Sequence, residues 1–283
     1  MTDSSPEKPS AYPSLGPALL LVLALLAAQL VLGVATEIIH GDDTFPWFGL
    51  LVSTVISFGV AISIGLQVGR LSLNEVLAWR PVNDGVWIPL VVLLAGGTII
   101  LSEIDNALRS VWPMPQEFID IFLQLSESWL AFAFLGVVIA PITEELLFRG
   151  LILRGLLRHY PANKAILVSA LMFALVHLNP WQFTGAFVFG ILSGFLYLWT
   201  GSLIPCLASH AIFNAYGIVV GTLLPPIPGF NTGALDTVEF QPWWFNLIGV
   251  VLTVIGIILL FEHFQVRFGR SDPAGREQEP ELP

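Results

Sequence analysis

The sequence predicts an all-α membrane protein with about eight transmembrane helices, and three observations lead to this fold class. Of the 283 residues, 55% are hydrophobic and only 11% are charged, whereas soluble domains carry about 25% charged residues. The apolar residues cluster in blocks long enough to cross a bilayer, which takes about 17–25 residues as a helix. The third observation is the distribution of the basic residues between these blocks.

Eight apolar blocks can be recognised along the chain. In lipid each must satisfy its own backbone hydrogen bonds, and blocks of this length do so as helices. The blocks cover approximately residues 17–36, 47–68, 86–102, 129–150, 164–178, 182–200, 203–222 and 243–262. We interpret residues 16–265 as one transmembrane domain between two polar tails, 1–15 and 266–283, of which the second is rich in Pro and Glu and is expected to be disordered.

The basic residues support an even number of spans. If the amino terminus is cytoplasmic, 10 of the 11 Lys and Arg residues fall on the cytoplasmic side and only Arg109 falls outside, as the positive-inside rule expects. Both termini are then cytoplasmic. The ten residues are Lys8, Arg70, Arg80, Arg149, Arg154, Arg158, Lys164, Arg267, Arg270 and Arg276.

Ionisable side chains inside a span cost about 2.5–3.5 kcal/mol each on insertion scales, so their positions are informative. They are concentrated in the fourth, fifth and seventh predicted helices. The residues are Glu144, Glu145, Arg149, His177 and His210, with Asn214 one turn after His210.

The adjacent glutamates are predicted to have different roles, because neighbouring side chains on a helix point about 100° apart. Glu145 and Arg149 are spaced i, i+4 and can form an ion pair on one face, which indicates a structural role. Glu144 faces elsewhere without a local cation, which favours a functional role.

Helix lengths predict that the other polar residues meet Glu144. Glu144 lies 17 residues before Pro161 and His177 lies 16 residues after it, so antiparallel helices joined at Pro161 bring both side chains to one level. His210 lies eight residues after the turn at Ser202, a similar depth at about 1.5 Å per residue. His210 and Asn214 share a face.

Such a site can hydrolyse a peptide bond in two ways. Glu144 with His177 can activate water while His210 and Asn214 stabilise the oxyanion. Alternatively, Glu144, His177 and His210 can hold a catalytic zinc ion. The residues alone leave the choice open.

Other intramembrane protease chemistries fit less well. There is no His-Glu-x-x-His motif, and none of the eight blocks contains an aspartate. Ser193 lies in Gly190-Ile-Leu-Ser-Gly194, which is typical of close helix packing rather than of a nucleophile. Cys206 is the only cysteine, so a Cys-based zinc site is excluded.

Three motifs resemble those of the CPBP family, which includes the Rce1-type CAAX prenyl proteases and the Abi-like and bacteriocin-processing membrane proteins. They are Glu-Glu-x-x-x-Arg at 144–149, Phe-x-x-x-His at 173–177 and His-x-x-x-Asn at 210–214. The resemblance covers residues 129–222. It implies an Rce1-like helical bundle in which Glu144 and His177 activate water, His210 and Asn214 bind the oxyanion, and Glu145 and Arg149 support the site.

The same resemblance favours a reaction without an obligate metal, although zinc is an alternative. It implies a peptide or protein substrate at the cytoplasmic membrane face, with or without a prenylated cysteine, and no nucleic acid partner. Two other classes of protein remain open: a non-enzymatic scaffold or immunity protein, and a proton-coupled transporter. Loss of activity in Glu144→Gln would argue against the scaffold, and the lack of internal repeat symmetry already disfavours the transporter.

Overall fold

A computed structural model describes residues 11–40, 46–232 and 237–268, and these residues form helices joined by turns and loops, with no strand among them. The polar tails predicted at both ends lie largely outside the described residues. The helices are α1 (Leu15–His40), α2 (Pro46–Gly69), α3 (Leu73–Leu77), α4 (Trp87–Val111), α5 (Gln116–Glu127), α6 (Trp129–Leu157), α7 (Ala162–Leu175), α8 (Pro180–Thr200), α9 (Ile204–Leu223) and α10 (Trp243–Phe268).

Six of the described helices are long and apolar enough to cross a membrane, namely α1, α2, α4, α6, α8 and α10. The fifth predicted span corresponds to α7, a shorter apolar helix of 14 residues. The seventh corresponds to α9, whose last residues, 217–223, are described only as backbone. The fold class is therefore an all-α membrane bundle, and the number of eight spans stays a prediction.

Three helix pairs form the frame of the bundle: α1 packs along α2, α7 along α8, and α4 along α10. The α4–α10 pair approaches closely at glycines on both helices. A methyl group at Gly96 would lie 2.4 Å from the backbone nitrogen of Thr253, and one at Gly256 would lie 2.6 Å from the Cα atom of Leu93. Small residues allow such backbone approach in membranes.

The loops that carry basic residues meet at one end of the bundle. Leu203 N donates to Ala78 O at 3.3 Å, Ser202 Oγ donates to Arg80 O at 2.8 Å, and His159 Nε2 lies 2.7 Å from Ala11 O. At the opposite end, Trp181 Nε1 donates to Trp112 O at 2.9 Å.

Two predictions about these residues need correction. Arg149 was counted with the cytoplasmic residues but is 1% exposed inside the bundle, because Glu145 compensates its charge there. The third span was predicted to end at residue 102, whereas α4 continues to Val111. The polar side chains of its last turns pair with one another, since Arg109 Nε lies 2.8 Å from Asp105 Oδ2.

Gly96→Ala is expected to destabilise the protein, because the added methyl group meets the backbone of α10. Overpacking of this kind typically costs about 1–3 kcal/mol. Gly97→Ala is the matched control, since a methyl group there meets nothing within 4 Å and Ala is the better helix former. Thermal unfolding in detergent, followed by tryptophan fluorescence, checks this. Equal midpoints for the two variants would contradict the close packing.

Candidate active site

Helix α6 departs twice from α-helical geometry on either side of the two glutamates. Residues Leu135–Ile139 and Leu146–Leu153 form π-helical segments, with the α-helical turn Ala140–Glu145 between them. π-Helical segments are rare and frequently accompany functional sites. This geometry positions both glutamates.

Glu145 is fully buried, and its carboxylate contacts three polar side chains, one on its own helix and two on other helices. Arg149 Nη1 lies 2.9 Å from Glu145 Oε1, as the i, i+4 spacing predicts. His210 Nδ1 of α9 lies 2.9 Å from the same oxygen, and the Ser193 hydroxyl of α8 donates to Oε2 at 2.7 Å. The carboxylate therefore links α6, α8 and α9.

Arg149 has further partners that make its burial tolerable. Its Nη2 donates to Gly190 O at 3.2 Å, and its guanidinium carbon lies 4.6 Å from the ring centroid of Phe173 and 5.7 Å from that of Phe189. Cation–π contacts are strongest where the cation is shielded from water. The glycine and the two aromatic residues thus complete the environment of the buried guanidinium.

Glu144 does not contact Arg149 or Ser193, but it lies on the other side of the His210 ring, a neighbour on another helix that spacing along α6 alone did not predict. Its Oε2 lies 3.7 Å from His210 Nε2 and is buried without a hydrogen-bond partner. The side chain is 14% exposed and faces a cavity of about 750 Å³. The two ring nitrogens of His210 therefore face the two glutamates, Nδ1 towards Glu145 and Nε2 towards Glu144.

His177 lies in the turn that follows α7. The sequence had predicted it inside the fifth span, which was expected to continue to residue 178. The helix ends at Leu175, and Leu178 adopts a left-handed conformation with φ 49° that reverses the chain. His177 Nδ1 lies 2.8 Å from Phe173 O. Because a carbonyl oxygen only accepts hydrogen bonds, Nδ1 carries the proton and Nε2 is left as an acceptor in the neutral ring.

Asn214 is held by a carbonyl group that the helix itself leaves free. In the π-helical register Ala140 N donates to Leu135 O, so the next bond would run from residue 141 to Gly136 O. Residue 141 is Pro141, which has no N–H to donate. Asn214 Nδ2 donates to Gly136 O instead, at 2.7 Å.

The four residues singled out from the sequence line one cavity. They are Glu144, His177, His210 and Asn214, from α6, the turn after α7, and α9. Gln182 and Thr184 of α8 add polar groups to the wall. The cavity is otherwise lined largely by apolar and aromatic side chains, as is usual for ligand sites.

Asp105 also lines this cavity. The predicted third span ended at residue 102, so this residue was expected to lie outside the bundle. Its pairing with Arg109 explains how an aspartate is accommodated at this depth. A two-aspartate site is not formed, because Asp105 is the only aspartate that lines the cavity within the described residues.

Ser193 and Cys206 have structural contacts. The Ser193 hydroxyl is directed to Glu145, and Cys206 is buried with its Sγ atom 3.4 Å from Ser193 O. Gly190 and Gly194 pack closely against α7, where a methyl group would lie 2.9 Å from side-chain atoms of Ala170 and Ile166, respectively. The packing function predicted for this glycine motif is confirmed.

No group of three His, Cys, Asp or Glu side chains within the described ranges is arranged to hold a metal ion. The set considered from the sequence, Glu144, His177 and His210, is thus not assembled as a ligand set.

Sequence reasoning missed two contacts at this site. The hydrogen bond between His210 and Glu145 joins residues that are 65 positions apart. Spacing along a single helix cannot predict such a contact. The bond between Asn214 and Gly136 could have been suspected from Pro141, since a proline inside a helix always leaves a carbonyl group without its donor.

A family of known proteins matches part of the chain. Residues 126–216, about a third of the chain, match a family model described as type II CAAX prenyl endopeptidase Rce1-like. The matched segment includes α6 to α8 and the part of α9 that carries His210 and Asn214. No curated protein and no solved structure matches the chain.

Proposed function

We propose that the chain is a membrane endopeptidase of the Rce1-like type that hydrolyses peptide bonds with Glu144 as the general base, and the family match over residues 126–216 supports this activity. The observation that carries the proposal is the Glu144 carboxylate, which has a buried oxygen without a hydrogen-bond partner and faces a cavity shared with two histidines. A carboxylate of this kind can accept a proton from water.

Glu144 and His177 are proposed to orient the water. Both offer an acceptor to the cavity, a carboxylate oxygen of Glu144 and the Nε2 of His177. A water molecule that donates one hydrogen to each has its lone pairs directed at the substrate carbonyl. Glu144 takes one proton as the oxygen attacks the carbonyl carbon, and it returns this proton to the amine nitrogen as the C–N bond breaks.

His210 and Asn214 are proposed to stabilise the oxyanion. Because Glu145 accepts from Nδ1 of His210, the ring donates through Nε2 only as an imidazolium. With the ring in this form, the carboxylates of Glu144 and Glu145 are matched by the positive charges of Arg149 and His210. Asn214 uses one amide hydrogen to bind Gly136 O, and its second is available to the substrate oxygen.

The proposed substrate is a peptide or protein segment at the membrane surface, with or without a prenylated cysteine, and the family resemblance implies the cytoplasmic face. The proposed localisation is a multi-pass membrane protein with both termini on the cytoplasmic side. Lipid surrounds the bundle, and no nucleic acid is involved. No cofactor enters the proposed reaction.

Glu144→Ala and His177→Ala are expected to lower peptide cleavage by about 10²–10⁴-fold, the range for groups that activate water. His210→Ala is expected to lower it by about 10²–10³-fold, the range for an oxyanion donor. Purified protein is incubated with a peptide library, with and without prenylated cysteine, and the products are read by mass spectrometry. Glu127→Ala, which removes an exposed carboxylate from the end of α5, is the control and should cleave like wild type.

Each alternative has its own result in this assay. Cleavage that survives Glu144→Ala contradicts the proposed base. Cleavage that a chelator abolishes and zinc restores contradicts the metal-free reaction. A wild-type protein that cleaves no member of the library favours a non-enzymatic scaffold over an endopeptidase.

Pro141→Ala is expected to slow cleavage by about tenfold while the protein remains folded. The new N–H at residue 141 competes with Asn214 for Gly136 O, and a displaced oxyanion donor costs part of the 10²–10³-fold that full removal costs. The decrease should appear in kcat rather than KM.

Pro89→Ala is the matched control, because Pro89 lies in the first turn of α4, where the helix leaves N–H groups unbonded in any case. This variant should cleave like wild type. A Pro141→Ala protein with unchanged kcat would contradict the role given to Gly136 O.

A further inference from the structure

The cavity that holds the four candidate catalytic residues extends from them towards one end of the bundle. Its lining residues on the long helices around it lie within 50–58 of α2, 101–108 of α4, 132–144 of α6 and 181–189 of α8. Each range lies towards the end of its helix that is remote from the basic loops, where Trp181 Nε1 donates to Trp112 O. The middle of the bundle therefore communicates with this end.

The opposite side of the site is closed by packed side chains. Residues 147–157 of α6, between the glutamates and the basic loops, are all buried, and they extend over about 15 Å at 1.5 Å per residue. The chain before α1 packs against Gly155 here, where a methyl group would lie 2.2 Å from the backbone nitrogen of Pro13. Because such interiors are close-packed, the described part of the bundle offers a peptide no path to Glu144 from the basic loops.

The exposed residues of the cavity wall, among those that the structure describes, lie at the remote end. They are Leu50 near the start of α2, Ile104 in the later turns of α4, Phe122 of α5 and Gln182 in the first turn of α8. Phe122 also contacts Phe132 of α6, with ring centroids 5.5 Å apart. Helix α5 therefore borders the mouth of the cavity, and a peptide can enter beside it.

Exposed tryptophans mark the two membrane surfaces, because tryptophan is enriched at the level of the lipid headgroups. Trp112, Trp129 and Trp243 are exposed at the end that carries the cavity mouth, where they follow α4 and begin α6 and α10. Trp79 is exposed among the basic loops. The mouth thus lies near the membrane surface that is remote from these loops.

The basic residues indicate which side of the membrane this surface faces. At the end of the cavity mouth, Arg109 is the one Lys or Arg residue that the structure describes, and it is paired with Asp105. The loops at the other end carry Arg70, Arg80 and Arg158, and loops rich in Lys and Arg stay in the cytoplasm. By this rule the mouth faces the non-cytoplasmic side.

We infer that the peptide reaches Glu144 from the non-cytoplasmic side of the membrane, through the mouth beside α5. The substrate class is then a segment of a membrane-bound or secreted protein that is exposed on that side, rather than on the cytoplasmic side that the family resemblance implies. The existence of a substrate rests on the proposed function, whereas the route rests on the cavity alone and can be tested without cleavage.

Cysteine labelling tests the route. Thr184→Cys and Asn214→Cys each put a thiol in the cavity wall, and wild-type protein is the blank because its one cysteine, Cys206, is buried. Membranes of an expression host, as spheroplasts or as inverted vesicles, are treated with a charged methanethiosulfonate that does not cross the bilayer. The full-length protein is then purified without reductant, and the adduct is read by intact mass.

Two exposed positions serve as references for the two sides, Glu127→Cys at the end of the cavity mouth and Asn74→Cys among the basic loops. Thr184→Cys and Asn214→Cys should gain the adduct in spheroplasts, as Glu127→Cys does, and should lack it in inverted vesicles, where Asn74→Cys gains it. Adducts in inverted vesicles only, or in neither preparation, would overturn the inference. Labelling of Asn74→Cys in spheroplasts would also overturn it, since the basic loops would then not be cytoplasmic.

A cleavage assay separates failure of the route from failure of the proposed activity. A peptide that the protein cleaves in detergent, and that is too polar to cross the bilayer, should be cleaved by spheroplasts and not by inverted vesicles. Membranes with Glu144→Ala give the background of the host. Cleavage by inverted vesicles only would overturn the inference. If no peptide is cleaved even in detergent while the thiols are labelled as expected, the proposed activity is contradicted and the route is supported.

Discussion

The buried carboxylate of Glu145 is the group on which the rest of the site depends. It binds Arg149 of its own helix, Ser193 of α8 and His210 of α9, so one side chain fixes the mutual positions of three helices. In a bilayer there is no water to take over these contacts. A change in the Glu145 charge would leave Arg149 unpaired and His210 without its orienting acceptor, so the geometry of the cavity and the stability of the bundle are coupled at this residue.

The second constraint is the irregular geometry of α6. Two π-helical segments flank the turn that carries the glutamates, and Pro141 leaves Gly136 O free for Asn214. A regular helix would satisfy this carbonyl internally and would leave Asn214 without its anchor. Residues that are unfavourable in a soluble helix thus provide binding groups here, because each freed backbone group finds a specific partner on a neighbouring helix.

Much of the fold and part of the site could be predicted because they depend on composition and local spacing. The apolar blocks predict the helices, and the i, i+4 spacing of Glu145 and Arg149 predicts their ion pair. The third apolar block ends at residue 102, nine residues before the end of α4 at Val111. The helix continues past the apolar block because Asp105 and Arg109 pair with each other. The bonds from His210 to Glu145 and from Asn214 to Gly136 depend on packing between distant helices, which spacing along one helix does not specify.

The most direct test compares Glu144→Gln with Glu145→Gln, two neighbouring substitutions that remove one charge each. Thermal unfolding and peptide cleavage are measured on both. We expect Glu144→Gln to unfold like wild type but to lose cleavage. We expect Glu145→Gln to lose stability by about 3–5 kcal/mol, the cost of breaking a buried ion pair. A Glu145→Gln protein as stable as wild type, or a Glu144→Gln protein that still cleaves, would contradict the division of roles between the two glutamates.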